Sequence, residues 1–421
     1  MHVIIVGAGV MGITTAYFLQ KRGCEVTIVD RQSGPAMECS YANGGFFSPG
    51  LSAPWSAPGA VGMAFRSLFD KSAPFKWRPD LSLRQIRWMM RSLKECREDR
   101  FTINRARLTR LSLYSLACLR QIEADASVDF QRSSGGVLQI YREPVPQVLV
   151  DGHLQHLEAM GIAGAFLSPE QLCAIEPALA RSTPGLFGAL HLPDDLAGDC
   201  QRFTSELAHA VQRQGGRFLW NTPVEQFRLG ESKTSGSRIE VFVSGSTELR
   251  ADAYVIAAGC GTPMILDRIV PVSLYPIKGY SMTAPLTHQE HAPRHSLFDF
   301  LSKTGMARLG NDIRVSGIAE VVGDDRRLDR GRCQQLANTF EAVFPKASSP
   351  GVATFWTGFR PATPDGVPFV SRTPIGNLFI NAGHGGSGWS MSCGSGKLMA
   401  DIVVGGKTDI DATDYALLRR S

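Results

Sequence analysis

The alternation of apolar and polar positions over the first thirty residues predicts a strand, a helix and a second strand. The apolar run at 3–6 is long enough for a strand buried on both faces, as strands of parallel sheets are. Residues 10–22 carry a helical pattern that ends at Gly23, a typical helix terminator. The run at 26–29 is the second strand, so we expect a β-α-β unit here.

A Gly-x-Gly-x-x-Gly turn joins the first strand to the helix. Gly7 allows a tight turn, Gly9 lets the backbone approach a pyrophosphate, and Gly12 lets helix and strand pack closely. The helix N-terminus then offers N–H groups to phosphates. Asp30 follows 23 residues after Gly7, where its carboxylate can bind a ribose diol. We therefore expect a bound dinucleotide, either NAD or FAD. Asp30 disfavours the 2′-phosphate of NADP, but Arg31 beside it could bind that phosphate, so NADP is a weaker alternative.

The segment 82–125 changes to a helical period and is locally basic. Residues 78–120 contain eleven Lys or Arg and four Asp or Glu, a local charge of +7. A solvated helix face is the simpler interpretation of these charges. A basic helical pair beside apolar side chains could instead rest on an anionic membrane surface, and the apolar residues concerned are Met63, Phe65, Leu68 and Phe69.

A second glycine-rich segment lies near the other end of the sequence. A strand at 378–381 leads into Gly383-His384-Gly385-Gly386-Ser387-Gly388-Trp389, and a helix follows near 390–404. Such a loop can present backbone N–H groups to phosphates or to an electron-rich ring. Upstream, Arg360 stands in a stiff Phe-Arg-Pro stretch, and a rigidly held guanidinium suits bidentate binding of a carboxylate.

Composition limits the class of protein. The chain has 421 residues, of which 43% are hydrophobic and 20% charged, which is typical of a globular protein of two or three domains. A net charge of +5 is too small to indicate nucleic-acid binding. The nine cysteines include no C-x-x-C pair, which predicts reduced thiols in the cytoplasm and no metal site. We find no signal-peptide pattern and no apolar run approaching about 18 residues.

Several short motifs occur in one order along nearly the whole chain. They are 7–12, 38–45 (ECSYANGG), 48–50 (SPG), 53–55 (APW), 255–259 (VIAAG), 275–281 (YPIKGYS), 358–361 (GFRP), 363–366 (TPDG), 383–385 (GHG), 388–389 (GW) and 394–396 (GSG). The turn at 7–12 is common to many nucleotide-binding folds, whereas the motifs between residues 358 and 396 are specific to one family. With these motifs the chain resembles the D-amino acid oxidase-like FAD-dependent oxidoreductases, and among these most nearly the D-amino acid dehydrogenases.

The resemblance implies a D-amino acid oxidase-like α/β fold with an α+β cap. A discontinuous, Rossmann-like FAD-binding domain would consist of residues 1–75, 196–272 and 352–421. A mixed-sheet substrate domain would consist of residues 76–195 and 273–351.

The resemblance also implies FAD rather than NAD as the cofactor. Residues 7–12 would hold the pyrophosphate, Asp30 the ribose and the backbone of Val224 the adenine. Residues 40–44 would run along the pyrophosphate and flavin, and residues 383–390 would lie near the flavin pyrimidine. The cofactor-binding residues expected in this way are Gly7, Gly9, Val10, Met11, Gly12, Asp30, Arg31, Ser40, Asn43, Gly44, Val224, Gly259, Gly383, Gly385, Ser387, Gly388, Trp389 and Ser390.

For the reaction, the resemblance implies oxidative deamination of a D-amino acid. Arg360 would bind the substrate carboxylate, while His384 and Tyr280 would orient the amine. The α-hydrogen would leave as hydride to flavin N5, and hydrolysis of the imine would give a 2-oxo acid and ammonia. A quinone or a carrier protein would accept the electrons. We expect a cytoplasmic protein, with peripheral contact to the inner face of the cytoplasmic membrane left open and no nucleic-acid partner.

One departure from the family leaves the substrate open. Many relatives place a tyrosine near the substrate in the strand after the segment matching 298–300, whereas this chain has Leu301-Ser302-Lys303-Thr304. A dehydrogenase of D-proline or hydroxy-D-proline is therefore an alternative, and so is an oxidase that uses oxygen. A flavin domain whose basic face binds modified tRNA is a rival of another class. A partner subunit without its own chemistry does not fit the complete motifs.

Overall fold

The computed structural model describes the chain except residues 68–69, 71–72, 81, 134, 182–184, 233–235, 267–268, 350 and 420–421. Leu68 and Phe69, which the sequence analysis places beside the basic helices, lie outside the described residues. The helices are α1 Val10–Lys21, α2 Ala60–Arg66, α3 Leu83–Glu95, α4 Glu98–Ala126, α5 Gln147–Ala159, α6 Pro169–Ile175, α7 Cys200–Arg213, α8 Thr262–Leu266, α9 Arg330–Val343 and α10 Gly388–Val404.

The strands belong to two large sheets and two small ones. They are β1 His2–Val6, β2 Glu25–Val29, β3 Phe46–Phe47, β4 Phe75–Trp77, β5 Val137–Tyr141, β6 Ala165–Leu167, β7 Gly188–Leu192, β8 Leu196–Ala197, β9 Arg217–Leu219, β10 Gln226–Ser232, β11 Gly236–Ser244, β12 Thr247–Leu249, β13 Ala253–Ile256, β14 Tyr275–Pro285, β15 Ser296–Asp299, β16 Thr304–Leu309, β17 Asp312–Val321, β18 Thr354–Ala362, β19 Phe369–Arg372 and β20 Leu378–Ala382.

The first large sheet contains, within the described residues, six strands in the order β19-β20-β13-β1-β2-β9. All its neighbouring pairs are parallel except β19 with β20. Its strands are apolar on both faces because α1, α4, α7 and α10 share a core with one face, and the small antiparallel sheet β10-β11-β12 packs on the other. The expected β-α-β unit, from β1 through α1 to β2, is confirmed.

The second large sheet is mixed and follows the order β18-β14-β17-β16-β15-β5-β7-β6, with β4 beside β17. Helix α9 covers one of its faces through buried apolar side chains. Strand β18 falls in the segment 352–421, which the expected division assigns to the cofactor domain, yet it pairs with β14 in this sheet. The strands of the first sheet all fall inside the expected cofactor segments, and the division into two domains remains a proposal.

The carboxyl ends of β1, β13 and β20 lie side by side. Val6 is in register with Ile256, and Ile256 is in register with Ile380. The loops that leave these strands therefore start next to one another, although they are far apart in the sequence. In open α/β sheets, ligands bind outside this edge of the sheet.

Candidate active site

A cleft of about 2210 Å³ opens at this edge and extends between the two large sheets. Every site residue expected from the sequence lines the cleft except Gly12. The fold therefore brings together segments from residue 7 to residue 390. Such a volume exceeds that of typical small-molecule pockets, which measure about 300–1,000 Å³, so a large cofactor and a substrate can share it.

The three glycines of the first turn differ in what surrounds them. A Cβ on Gly12 would lie 1.8 Å from the carbonyl oxygen of Gly7, so Gly12 serves helix–strand packing and not the cleft. Gly7 has a φ of +111°, and a Cβ there would lie 2.5 Å from the carbonyl oxygen of Ala257. A Cβ on Gly9 would meet only the Ser40 hydroxyl, at 3.5 Å, so the cleft side of Gly9 is open to a ligand.

Asp30 is fixed at the end of β2. Its Oδ2 accepts from the Ala8 N–H at 2.6 Å and its Oδ1 from the Gln32 N–H at 2.8 Å. Burial raises the pKa of this carboxyl, and the two N–H donors oppose that shift. Arg31 is held in an ion pair with Glu38 at 2.7 Å, so its guanidinium charge is already compensated where a 2′-phosphate would need it.

Residues 40–44 connect the first turn to the second sheet. The Ser40 hydroxyl accepts from the Val10 N–H at 3.1 Å, at the start of α1, so this helix donor is already bonded. The Asn43 side chain accepts from the Gly45 N–H at 3.0 Å. A Cβ on Gly44 would lie 2.6 Å from the Ser316 hydroxyl of β17, so a larger residue here would displace the Ser316 side chain.

The second glycine segment ends in a helix start without a side-chain cap. Ser387 makes no capping hydrogen bond to α10, and the first turn of α10 carries no acidic residue. Uncapped N–H groups and the positive end of the helix dipole favour negative charge nearby. Gly383 and Gly385 have φ values of +91° and +53°, which favour glycine. Gly388 faces the Met11 side chain, since a Cβ there would lie 3.6 Å from the Met11 Cε.

The side chains of Trp389 and Ser390 are used by the core. The Trp389 indole packs against Phe47 and Phe203, with ring centroids 5.0 and 4.8 Å apart. The Ser390 hydroxyl accepts from the Ser48 N–H at 3.0 Å and donates to the Phe46 carbonyl at 3.3 Å. Both residues nevertheless line the cleft, as do Val224 and Gly259, which follow β9 and β13.

His384 and Tyr280 both line the cleft, but the His384 Nε2 and the Tyr280 hydroxyl are bonded to other groups of the protein, and their role in orienting an amine remains a prediction. The His384 Nε2 lies 2.9 Å from the Ser395 hydroxyl, and burial lowers the pKa of His384 to about 3, so the ring is neutral. The Tyr280 hydroxyl donates to Glu320 at 3.0 Å within the core shared with α9. The direction of the Tyr280 side chain follows from the alternation of side chains along β14. Gly279 faces Arg360, so Tyr280, the next residue, points to the opposite side of the strand.

Arg360 extends across Gly279 into the cleft. A Cβ on Gly279 would lie 2.3 Å from the Arg360 Nη1, so the guanidinium needs glycine at this position. Nη1 donates to the Ile318 carbonyl at 3.0 Å and Nη2 to the Gly317 carbonyl at 3.5 Å. The Trp55 ring lies 5.3 Å from the Arg360 Cζ. The structure shows no ion pair of Arg360 with a carboxylate of the described residues, and burial lowers its pKa.

The backbone that receives Arg360 is itself unusual. Ile318 has a φ of +57°, a conformation that β-branched residues rarely adopt. It lies in β17 where the pairing with β14 shifts register, between Lys278 and Tyr280. The irregular strand turns two carbonyls toward one guanidinium. Backbone strain of this kind is frequent at functional sites.

Tyr141 and Lys303 are among the residues that line the cleft without being expected from the sequence. Tyr141 of β5 packs its ring 5.2 Å from Phe300, so a tyrosine reaches the cleft from a strand other than the expected one. Lys303 places its Nζ 3.4 Å from the Phe300 ring centroid, and desolvation lowers the pKa of Lys303 to about 8. Lys303 stands within the stretch that lacks the family tyrosine, and that departure was the available signal.

Metal-binding clusters and membrane-spanning helices are both absent from the described residues. In that part of the chain, no group of three or more His, Cys, Asp or Glu side chains is arranged to hold a metal ion. None of the helices described there combines the length and the apolar character needed to cross a bilayer.

The donor set of the cleft fits FAD. An open glycine at a pyrophosphate-sized turn, a fixed carboxylate after the second strand and an uncapped helix start all line one cavity. Solved structures share the fold over almost the whole length of both chains. Glycine oxidase from Geobacillus kaustophilus is 21% identical, with a TM-score of 0.75 and coverage of 100% of this chain and 98% of the other.

Two further structures agree. L-proline dehydrogenase from P. horikoshii is 16% identical, with a TM-score of 0.76 and coverage of 99% and 97%. L-α-glycerophosphate oxidase from Mycoplasma pneumoniae, solved with FAD bound, is 17% identical, with a TM-score of 0.68 and coverage of 96% and 94%. The model of the DAO family, described as FAD dependent oxidoreductase, matches residues 2–402. The chain therefore belongs to the DAO family of FAD dependent oxidoreductases, and FAD is its cofactor.

Proposed function

We propose that this protein oxidises D-amino acids to 2-oxo acids and ammonia as an FAD-dependent dehydrogenase. The observation that carries the proposal is Arg360, whose guanidinium enters the cleft without a carboxylate partner among the described residues. A desolvated guanidinium needs an anion, and its planar donors match a carboxylate. The motifs that resemble D-amino acid dehydrogenases favour the D series.

The chain offers a matching part for each portion of the cofactor. Gly9 and the start of α1 would face the pyrophosphate, Asp30 would accept from the ribose, and the uncapped start of α10 would face the flavin. The bound flavin supplies the acceptor for the two electrons lost by the substrate. Trp389 and Ser390 would contribute only backbone, since their side chains are engaged elsewhere.

The substrate would be held by its carboxylate at Arg360. The two carbonyls of β17 and the Trp55 ring fix the guanidinium, so the carboxylate binds in one orientation. The substrate amine must be neutral before the α-hydrogen leaves. Lys303 lines the same cleft and has a pKa lowered to about 8, so near neutral pH a fraction of its Nζ is free to accept the amine proton.

A cyclic secondary amine is the second candidate substrate. The cleft wall carries the aromatic side chains of Trp55, Tyr141 and Phe300 where the family stretch lacks its tyrosine. Flat aromatic faces suit the ring of D-proline or hydroxy-D-proline, and oxidation of such a ring needs the same carboxylate anchor.

For the electron acceptor we propose a quinone taken from an anionic membrane surface. Helix α3 exposes an apolar stripe of Leu83, Ile86, Met90 and Leu93, which are 67%, 44%, 57% and 44% exposed. Basic side chains accompany the stripe, namely Arg84, Arg87, Arg91 and Lys94. Leu93 also lines the cleft, so the stripe borders its opening. An amphipathic basic helix of this kind favours an interfacial position on anionic lipid.

Vesicle sedimentation tests the membrane proposal. The wild-type protein should sediment with vesicles containing phosphatidylglycerol and much less with vesicles of phosphatidylcholine alone. Met90→Asp should lower the bound fraction several-fold, because one buried apolar contact is replaced by a charge of the wrong sign. Leu229→Asp, at an exposed apolar residue on β10 and outside the cleft, is the matched control and should bind as the wild type does. Equal binding of Met90→Asp and wild type would remove α3 from the contact.

An anaerobic visible spectrum tests the reaction. The flavin band of the purified holoprotein should bleach on addition of D-amino acids, and the L-enantiomers serve as the matched controls. The panel includes both enantiomers of proline and 4-hydroxyproline, which separate the cyclic from the linear candidates. Reduction by L-substrates alone would contradict the proposed handedness, and a flavin that no amine reduces would contradict the reaction. Peroxide formed during aerobic turnover would identify an oxidase instead.

A further inference from the structure

A group of three side chains in the cleft has no role in the proposed reaction. Arg105 of α4 and His153 and His156 of α5 line the cleft together with Phe101 and Ser92. The expected site residues include none of these positions. Their surroundings show what the group can bind.

Arg105 differs from its neighbours on α4 by having no acidic partner in the part of the chain that the structure describes. Arg100 pairs with Glu95 at 3.0 Å and Arg107 pairs with Asp414 at 2.9 Å. The Arg105 Nε is buried and makes no hydrogen bond. Burial lowers the pKa of Arg105 to about 10, so the guanidinium stays charged at neutral pH. A charged donor of this kind calls for an anion from outside the chain.

The two histidines do not neutralise Arg105. The His153 Nε2 bonds to the Gly50 carbonyl at 3.0 Å, and the His156 Nε2 lies 3.1 Å from the Thr109 hydroxyl. Burial and the charge of Arg105 lower the pKa of both histidines to about 4, so both are neutral near pH 7. Glu98 lines the cleft two helical turns before Arg105 but forms no ion pair with it, and its residue is exposed. The group therefore carries one net positive charge.

A short segment links this group to Arg360. His153 binds the carbonyl of Gly50, and the ring of Trp55, five residues later, lies against the Arg360 guanidinium. Five residues span at most about 18 Å even when extended, and the segment begins with a 3₁₀ turn over Pro49–Leu51, which shortens it. The two guanidinium groups therefore line one cleft, and residues 50–55 connect their surroundings along one wall. The ligand length that spans them is what the dicarboxylate series below measures.

We propose that Arg105 forms a second anion-binding subsite, which receives a carboxylate at the far end of the substrate. This inference rests on the proposed function, in which Arg360 binds the carboxylate next to the amine. Two guanidinium groups would then hold the two ends of an acidic amino acid. The substrate class becomes amino acids whose side chain ends in a carboxylate, with neutral side chains of equal length as poorer substrates.

A binding measurement tests the subsite without any turnover. The probes are the dicarboxylates from succinate to suberate and the monocarboxylates of equal length, titrated into the holoprotein while the flavin absorbance is recorded. The best dicarboxylate should bind at least about tenfold more tightly than its monocarboxylate partner, since the free energy of one hydrogen bond to a charged group corresponds to a factor of about ten or more in affinity. Equal affinities at every length would overturn the proposal.

Variants assign the preference to Arg105. Arg105→Met should abolish the preference for dicarboxylates while keeping the flavin, and Arg105→Lys should retain part of it because the charge remains. Arg120→Met, an exposed arginine on the same helix and outside the cleft, is the matched control and should behave as the wild type. Loss of flavin in both Arg105 variants would show that this guanidinium serves the cofactor or the fold, which overturns the subsite.

Kinetics separate the subsite from the proposed function. In the wild type, kcat/KM for the best acidic D-amino acid should exceed that for its neutral isostere about tenfold, and Arg105→Met should remove the ratio. A dicarboxylate preference that depends on Arg105, found in a protein that no amino acid reduces, would support the subsite and contradict the proposed reaction. Inorganic phosphate that competes through Arg105 more strongly than any dicarboxylate would overturn the assignment to a substrate carboxylate.

Discussion

The two ends of the cleft differ in the groups that line them. The nucleotide end is lined by residues 7, 9–11 and 383–390, and the substrate end by Arg360, Tyr141 and Lys303. At the nucleotide end, glycines at strand ends bring backbone against the cavity, and the side chains of Trp389 and Ser390 are turned into the core. At the substrate end, single side chains from separate strands and loops converge, including Arg360 from β18, Tyr141 from β5 and Lys303 from the loop between β15 and β16. Backbone geometry tolerates few residue types, whereas a side-chain cluster can be rebuilt from any neighbouring strand. We therefore expect the first end to tolerate few substitutions and the second to determine the substrate preference.

The largest effect should come from the glycine that lines no part of the cleft. Gly12→Ala places a Cβ 1.8 Å from the Gly7 carbonyl oxygen, so helix and strand must move apart, and we expect a strong loss of melting temperature or of soluble protein. Gly9→Ala meets only the Ser40 hydroxyl at 3.5 Å, so the apoprotein should stay stable while its FAD content falls. Equal stability of Gly12→Ala and wild type would contradict the packing role.

At the substrate end, Arg360→Met should raise KM about 100-fold or more with the flavin still bound, since a bidentate charged contact is lost. Arg372→Met is the matched control, because Arg372 also lies over an aromatic ring, 5.0 Å from Phe379, and donates to a carbonyl, but outside the cleft. Steady-state kinetics and flavin absorbance measure both effects. An unchanged KM in Arg360→Met would show that the carboxylate binds elsewhere.

The proposed role of Lys303 as a base at the substrate end predicts how kcat/KM depends on pH. Because a base acts when unprotonated and the pKa of Lys303 is lowered to about 8, kcat/KM should fall as pH drops below 8. In Lys303→Met that limb should disappear and the rate at high pH should fall about tenfold. Lys346→Met controls for backbone strain, since Lys303 and Lys346 both have positive φ, +53° and +66°. A wild-type pH profile retained by Lys303→Met would exclude the lysine as the base.

The smallest effect on turnover should come from His384. Its ring is neutral in the fold with a pKa lowered to about 3, so its contribution to stability is present above the ordinary value of about 6.5 and is lost as pH falls from 6.5 toward 3. His384→Gln should flatten part of that decline, by at most about 1.4 kcal/mol per pH unit, in melting curves recorded against pH. The rest of the decline in stability should remain in this variant, because the pKa values of His153 and His156 are also lowered, to about 4. A tenfold loss of kcat/KM at pH 7.5 in His384→Gln would instead show that His384 takes part in the reaction.

Local patterns predicted the parts of the site that depend on backbone. The β-α-β unit, the strand before Gly383 and the helix after it are in the structure where the sequence placed them. These elements depend on apolar runs and on glycine, whose effects are local. Arg360 was also found in this way, because its Phe-Arg-Pro setting and the motif resemblance both pointed to it.

The hydrogen-bond partners of Tyr280 and His384 could not be read from the sequence. Whether a strand residue faces the cleft or the core depends on the neighbouring strands, and the pairing of β14 with β17 shifts register near Ile318. Tyr141, Lys303 and Arg105 carry no motif, and they reach the cleft only because distant elements are packed together.

The sequence by itself determined the dinucleotide turn, the glycines that let backbone approach a cofactor and the arginine held rigidly between Phe359 and Pro361. These follow from the steric needs of short segments, which any fold must satisfy. The tertiary fold was needed to see that Arg360 and Arg105 line the cleft without a carboxylate partner among the described residues. Ion pairs and hydrogen bonds depend on distance in space and not on separation in the sequence. The partners of a charged side chain are therefore known only when elements hundreds of residues apart have packed together.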